Sequence, residues 1–222
     1  MKTKIRRSFA SLLLMSVVVV AMSRATEAAL IYGLEFQGPT NIVTGSAFSL
    51  DVFLRETATE LGDATVIGDP LQGVIQGNFA INRTGAGGFA ITGVTGNLLF
   101  DVQGTALFSM SSASLVQGAL MSTPTASQLS PNVYRLLLGT LSLTAPLVLG
   151  ESNTFTFVDP SSSDDLFLGD GSVIDSAASY GSFTVTAVPE SSSMILFGGL
   201  GAAYAGIAKF RRRRIQTANQ PA

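Results

Sequence analysis

The chain has 222 residues, 46 % of them hydrophobic and only 13 % charged, with no histidine and no cysteine. Those absences exclude disulfides, thiolate or imidazole metal sites, and nucleophilic catalysis of the Ser/His/Asp or Cys/His kind within the chain; paired carboxylates are the catalytic class that survives. The net charge of −2 conceals a partition: of the 13 Lys and Arg, five lie before Thr26 and five after Ala208, so Leu30 to Glu190 holds Arg55, Arg83 and Arg135 against fourteen carboxylates, a net −11. A surface of that sign disfavours nucleic acid and anionic lipid, which demand clustered cations, and leaves neutral or cationic partners open, polysaccharides and divalent ions among them.

In chain order, Lys2, Lys4, Arg6 and Arg7 form a positive n-region and Phe9 to Met22 an apolar core containing Val17 to Val20. Small residues follow, which is the organisation of a secretory signal peptide. Cutting after Ala28 places Thr26 and Ala28 at the two positions that need small side chains, with Ala25, two residues after Ser23, as the alternative. The Arg6-Arg7-Ser8-Phe9 order is faintly like a twin-arginine signal, but the greasy core favours general secretion. The expected organisation is a signal peptide over 1–28 and an exported domain over 29–187.

Within that domain strand signals dominate. From Ala47 to Leu54, Phe48, Leu50, Val52 and Leu54 alternate with polar Ser49 and Asp51, the period-2 pattern of a half-buried strand. Val74 to Ile81 sets Ile75, Phe79 and Ile81 against Gln76 and Asn78, and Phe89–Val94 and Gly96–Val102 read as two further strands joined by glycine. Tyr134 to Thr144 is nearly continuous in leucine and reads as a central strand buried on both faces; Thr154–Val158 and Ser182–Val188 alternate again. Helical signal is confined to Ser112–Met121 and Thr57–Leu61. Seven or eight short strands separated by Gly, Pro, Asn and Asp predict an all-β fold, a two-layer antiparallel β-sandwich. Ser46 to Leu54 followed by Arg55-Glu56, with Leu138-Gly139-Thr140-Leu141 later, is broadly similar to cohesin-like or carbohydrate-binding-module-like sandwiches.

Two acidic stretches stand out. Glu56, Glu60, Asp63 and Asp69 read as a loop after the first long strand. Asp159 to Asp165, with Asp170-Gly171 and Asp175 beyond, is the densest set of oxygen ligands. Calcium takes about six to eight oxygens, so this second stretch reads either as a calcium-wrapping loop or, because it departs from D-x-D-x-D-G spacing, as a solvated acidic loop. Phe79, Phe89, Phe100 and Phe108 are spaced like core residues of strands.

The end of the chain carries Val188-Pro189-Glu190, a fifteen-residue run of apolar and small residues from Met194 to Ala208, and Lys209 with Arg211, Arg212, Arg213 and Arg214. As a helix that run is about 22 Å long, a marginal span of a hydrocarbon layer of about 30 Å, and the arginines would orient the preceding chain outward. Gly198, Ala202 and Gly206 are spaced for close helix packing. Motif, helix and arginines in this order resemble the PEP-CTERM sorting signal of exported bacterial proteins, with Ser191 where the fuller motif has a second proline. The resemblance covers about residues 187 to 214. It implies recognition and cleavage near Val188, Pro189 and Glu190 by an exosortase, a membrane-embedded cysteine transpeptidase, with Arg211 to Arg214 as the membrane stop and 215–222 as a cytoplasmic tail. It also implies passage through the secretion machinery and the inner membrane to the envelope or an exopolysaccharide matrix. Expected alternatives to a sorted, non-enzymatic surface protein are a carbohydrate-binding or adhesion module on an uncleaved anchor, and an enzyme using carboxylates alone.

Overall fold

The computed structural model describes residues 29–59, 65–121, 123–159, 165–174 and 178–190. The described residues are all-β and fold as a two-layer sandwich. One sheet contains β1 (Leu30–Gln37), β3 (Ala47–Ala58), β6 (Ala90–Gly96), β9 (Ser127–Ser130), β10 (Val133–Thr144) and β13 (Ser179–Tyr180), with β3 and β10 at its centre. The other contains β2 (Asn41–Val43), β4 (Val74–Gly77), β5 (Phe79–Thr84), β7 (Val102–Phe108), β8 (Ser112–Gly118), β11 (Ser152–Val158), β12 (Leu166–Leu168) and β14 (Ser182–Val188). Pairing is antiparallel except at two edges, where β13 runs parallel to β1 and β2 parallel to β14.

The predicted strand at Ala47 is the start of β3, whose inward series is Leu50, Val52, Leu54, Glu56 and Ala58, all buried. Glu56 is therefore not part of a loop: it occupies an inward strand position. β10 corrects the expectation of burial on both faces. Leu136 and Leu138 point inward, then Leu141 and Leu143 do, so the inward parity changes from even to odd. The change is absorbed by a register shift between Leu137 and Gly139 against β3, which leaves Leu138 as the extra residue of a bulge. One buried face with a shifted register therefore looks, in sequence, like a continuous leucine run. Gly139 permits the shift, because a Cβ there would lie 2.6 Å from the Thr95 carbonyl oxygen. In β6, Ile91 and Val94 also change parity, across a shift against Ser142–Leu143.

The predicted strand over Val74–Ile81 is broken at Asn78 into β4 and β5, and the sides differ from expectation. Val74 is buried, Ile75 only partly, and Asn78 is enclosed. Phe79 and Ile81 do enter the core. Gly96–Val102 is largely a turn: the Asn97 side chain accepts from Leu99 N (3.0 Å) and donates to the Leu137 carbonyl (2.7 Å), and Phe100 is buried from the turn. Ser112–Met121 forms no helix; it supplies β8, with Ala113, Leu115 and Gln117 inward. Of the four phenylalanines expected inside, Phe108 lies on β7 and is 54 % exposed.

The core is continuous between the sheets and centred on Phe79, Phe89, Phe155, Leu50, Leu54, Leu138 and Leu141. Phe36 stacks on Phe157 at 4.1 Å, and Phe48 meets Phe89 edge-on at 5.9 Å. Gln117 links the layers: its side-chain NH2 donates to the carbonyls of Gly77 (3.1 Å) and Leu138 (2.7 Å), one in each sheet, while its oxygen accepts from Asn97 N (3.2 Å).

The bulge assignment separates two adjacent leucines. Leu138→Ala removes fully enclosed methyl groups and is expected to cost about 2–5 kcal/mol, whereas Leu137→Ala, on the half-exposed side, costs less than about 1 kcal/mol. Urea unfolding midpoints of the two variants check this difference.

Candidate functional site

The end of β14 is where the predicted sorting motif meets the fold. Val185 and Ala187 enter the core, and the strand is held antiparallel by β11 and parallel by β2. Val188 is the last strand residue, aligned with Val43, and its carbonyl accepts from Thr44 N at 3.1 Å. Pro189 has no N–H with which to continue a ladder, so pairing ends there for a covalent reason. Pro189 is half-buried and Glu190 is exposed. Ala28, Met194–Ala208 and Arg211, Arg212, Arg213 and Arg214 lie outside the described residues.

Three turns surround this exit. The β2–β3 turn is drawn to the β10–β11 turn by Gly45 N donating to the Pro146 carbonyl (3.0 Å), with Gly45 at φ 73°, where a Cβ would be strained. The β10–β11 turn is tied in the other direction to β14 by Gly150 N donating to the Ala187 carbonyl (2.9 Å). The β5–β6 turn joins through Gly88 N, which donates to the Glu151 carboxylate (2.8 Å). Between Pro146 and Gly150, Leu147, Val148 and Leu149 are 85 %, 59 % and 57 % exposed. The sequence analysis passed over them; their signal was an apolar triplet bracketed by two turn-forming residues.

The acidic stretches serve the scaffold where they are described. Glu56 accepts from the Thr65 hydroxyl and from Val66 N and Ile67 N, both at 3.1 Å, so it fixes the turn before β4. Tyr32, opposite Glu56 on β1, donates to the same carboxylate. Burial, the adjacent Glu56 charge and that hydrogen bond together push the Tyr32 phenol far above its ordinary value. Asp69 accepts from Leu71 N (2.8 Å) in the turn that follows. In the second stretch, Asp165 is buried, its carboxylate accepting from the Asn78 amide (3.3 Å) and its carbonyl from Asn78 N (2.9 Å). Asp170 accepts from Ser172 N and its hydroxyl. Residues 160–164 and Asp175 lie outside the described residues. Among the described residues no three acidic side chains converge on a common point for a cation. Asp101 accepts from Leu120 N (2.7 Å) and Met121 N (2.8 Å), which holds its carboxyl below the usual carboxylate range.

The three arginines of the domain are structural as well. Arg135 stacks over Phe53 (4.0 Å) and reaches Glu35 (3.3 Å) and Gln37 (2.6 Å); Arg55 lies 3.7 Å from the same Glu35. Arg55 and Arg135 are directly opposite across β3 and β10, a like-charge pair that the shared carboxylate offsets. Arg83 donates to the carbonyls of Gly87 and Phe89 and closes the β5–β6 turn. An open groove of about 320 Å³ between β5 and β7–β8 is lined by Ile81, Asn82, Leu107, Phe108 and serines, with no ionisable group.

No family model matches the chain, and no curated protein matches it. Solved structures similar to it are cohesin modules. One is from a family 33 glycoside hydrolase of Clostridium perfringens, with a TM-score of 0.45 and 12 % identity over 73 % of this chain and 100 % of that one. Another is the third cohesin of ScaC from Acetivibrio cellulolyticus, solved with the ScaB dockerin, at 0.45 and 11 % over 71 % and 99 %. A third is a type III cohesin of the cell-surface anchoring scaffoldin ScaE of Ruminococcus flavefaciens, at 0.45 and 8 % over 76 % and 93 %.

The Tyr32–Glu56 contact has a definite pH signature. A phenol whose folded pKa is raised contributes stability that is complete below its unfolded pKa of about 10 and is lost as the pH climbs beyond it. Unfolding free energy is therefore expected to fall above about pH 10, and Tyr32→Phe to show a shallower alkaline decline; denaturant titrations from pH 8 to 11 (roughly that window) measure both slopes.

Proposed function

We propose that the chain is an exported, non-catalytic surface or matrix protein, delivered by a signal peptide cut after Ala28 and sorted through a PEP-CTERM signal made of Val188-Pro189-Glu190, the Met194–Ala208 helix and Arg211 to Arg214. An exosortase recognises this signal and removes the helix, which releases the sandwich to the envelope or to an exopolysaccharide matrix. The observation that carries the reading is the coincidence of two boundaries. Among the described residues the last enclosed one is Ala187, and the motif begins at the next position. The enclosed series of β14 thus stops where the motif starts, and the exposed Glu190 offers an anionic handle directly after the strand.

The non-catalytic part of the reading has its own support. Without histidine or cysteine the Ser/His/Asp and Cys/His arrangements are absent, and of the carboxylates Glu56, Asp101, Asp165 and Asp170 are engaged in holding turns and strand breaks. Of the described tyrosines, Tyr32 is enclosed, Tyr134 is half-enclosed and Tyr180 is 37 % exposed, so no cluster of broad exposed tyrosine rings is set out for stacking on sugar.

Replacing Pro189 and Glu190 together by alanine is expected to leave uncut precursor in the membrane fraction. Intact-mass measurement of the surface-released protein reads the outcome: the parent chain ends near Glu190 and the double variant is not released. Equal maturation of the two, with the same mass released, refutes sorting through Pro189 and Glu190.

A further inference from the structure

The sandwich presents an apolar tip at the end from which its C-terminal segment departs. We propose that Leu147, Val148 and Leu149 form a lipid-docking tip that lies in the headgroup layer of the bilayer while the chain is held there by its C-terminal segment. The inference rests on the membrane-anchor part of the proposed function.

Three observations carry it. The first is exposure: all three side chains face solvent at more than half of their surface, on a turn bracketed by Pro146 and Gly150. Burial of apolar groups drives folding, so three consecutive ones left outside at a rigid turn are surface awaiting a low-dielectric neighbour. Rigidity comes from both flanks, since Gly45 N binds the Pro146 carbonyl and Gly150 N binds the Ala187 carbonyl.

The second is position. The Gly150–Ala187 bond places the tip one residue from Val188, the last strand residue. Val43, beside Val188 in the parallel pair, adds a further side chain 39 % exposed. Apolar surface and chain exit thus share one end of the sandwich.

The third is reach. Only Ser191, Ser192 and Ser193 separate Glu190 from Met194, where the apolar run begins. Four residue steps span at most about 14 Å even when fully extended. The headgroup layer on one side of a bilayer is itself about 5–7 Å thick. A chain whose apolar run is in the hydrocarbon cannot hold this end of the sandwich far from the lipid, and the turn it brings near is uncharged and aliphatic, with Glu190 on the tether itself. An anionic protein gains nothing from electrostatic attraction to acidic lipid, so the contact is of the apolar kind and suits a zwitterionic surface.

The chain has no cysteine, so Val148→Cys creates a unique labelling site. The full chain, purified from membranes, is labelled there with an environment-sensitive fluorophore and reconstituted into phosphatidylcholine vesicles with or without nitroxide on the acyl chains. Leu149→Cys reports the same tip independently. Leu71→Cys, 89 % exposed and at the opposite end just before β4, is the reference. Expected are a blue-shifted emission and loss of intensity with the nitroxide lipid at positions 148 and 149, and neither at 71. A chain that floats with the vesicles yet shows no lipid quenching at the tip overturns the docking and leaves the anchor standing. A blue shift without lipid quenching means that a second copy covers the tip, and also overturns it. A chain that does not float with vesicles refutes the anchor and the docking together.

Discussion

The first two strands hold the last two, and the rest of the sandwich depends on that closure. β1 accepts β13 as a parallel neighbour on one sheet, and β2, three residues further on, accepts β14 on the other. Gly38 lies on the crossing between β1 and β2, in space where a Cβ would press on the Leu50 side chain. Between β13 and β14, Gly181 N donates to the Leu34 carbonyl (3.1 Å), so the crossover at the C-terminal end is tied to the N-terminal strand. Neither layer can complete its hydrogen bonding until residues more than 140 positions apart have met, as Gly33 does Ser179. Contacts of that separation carry a large loop-closure cost and form late. Both sheets are therefore incomplete without the β13–β14 segment, which adjoins the segment proposed to hold the chain at a membrane.

The alternating elements were legible where one face is apolar and no register shift intervenes. β3, β11 and β14 show it: Leu50-Val52-Leu54, Phe155-Phe157 and Val185-Ala187 are the inward series, and each is visible as period two. β10 was located but misread, because a bulge converts a one-sided strand into an unbroken leucine run. β8 was mistaken for a helical stretch because its third inward residue is Gln117, a polar side chain that hides the alternation of Ala113 and Leu115. β7 has no inward face at all, every residue being exposed, so no burial pattern was there to read. Of the candidate site, the position of Val188-Pro189-Glu190 at the end of the last described strand was readable from residue types. The apolar tip was not, since its meaning comes from hydrogen bonds to Gly45 and Ala187, positions about 100 and 40 residues away along the chain.

The enclosed polar residues follow a common rule: they sit where the apolar rhythm stops. Asn78 is the break between β4 and β5, and its side chain serves both neighbours, accepting from Gln117 N (2.9 Å) and donating to Asp165. Asn153 heads β11 and takes the turn of β5–β6, accepting from Phe89 N (3.3 Å) and donating to the Thr84 carbonyl (2.9 Å). Glu56 receives two backbone N–H groups of the segment that leads toward β4. A buried backbone donor left alone costs about 1–3 kcal/mol, so side chains that satisfy such donors at strand breaks act chiefly by removing a penalty. This is why Glu56, Asp69, Asp165 and Asp170, which drew notice as loop or cation ligands, prove to be parts of the scaffold.

Charge decides how such a domain can approach a surface. With a net −11 between Leu30 and Glu190, the sandwich is repelled by anionic headgroups over distances comparable to a screening length of about 8 Å. Its cations do not counter this, because Arg55 and Arg135 are shared with Glu35 on an outer sheet face and Arg83 is turned onto backbone carbonyls. A short tether works against the repulsion, and the end it brings nearest presents Leu147, Val148 and Leu149, with the Glu151 carboxylate drawn back onto Gly88 N. The turn at that end therefore suits a domain of this charge held close to lipid: its foremost side chains are uncharged, its own carboxylate, Glu151, is hydrogen-bonded to Gly88 N, and the exposed Glu190 belongs to the tether itself.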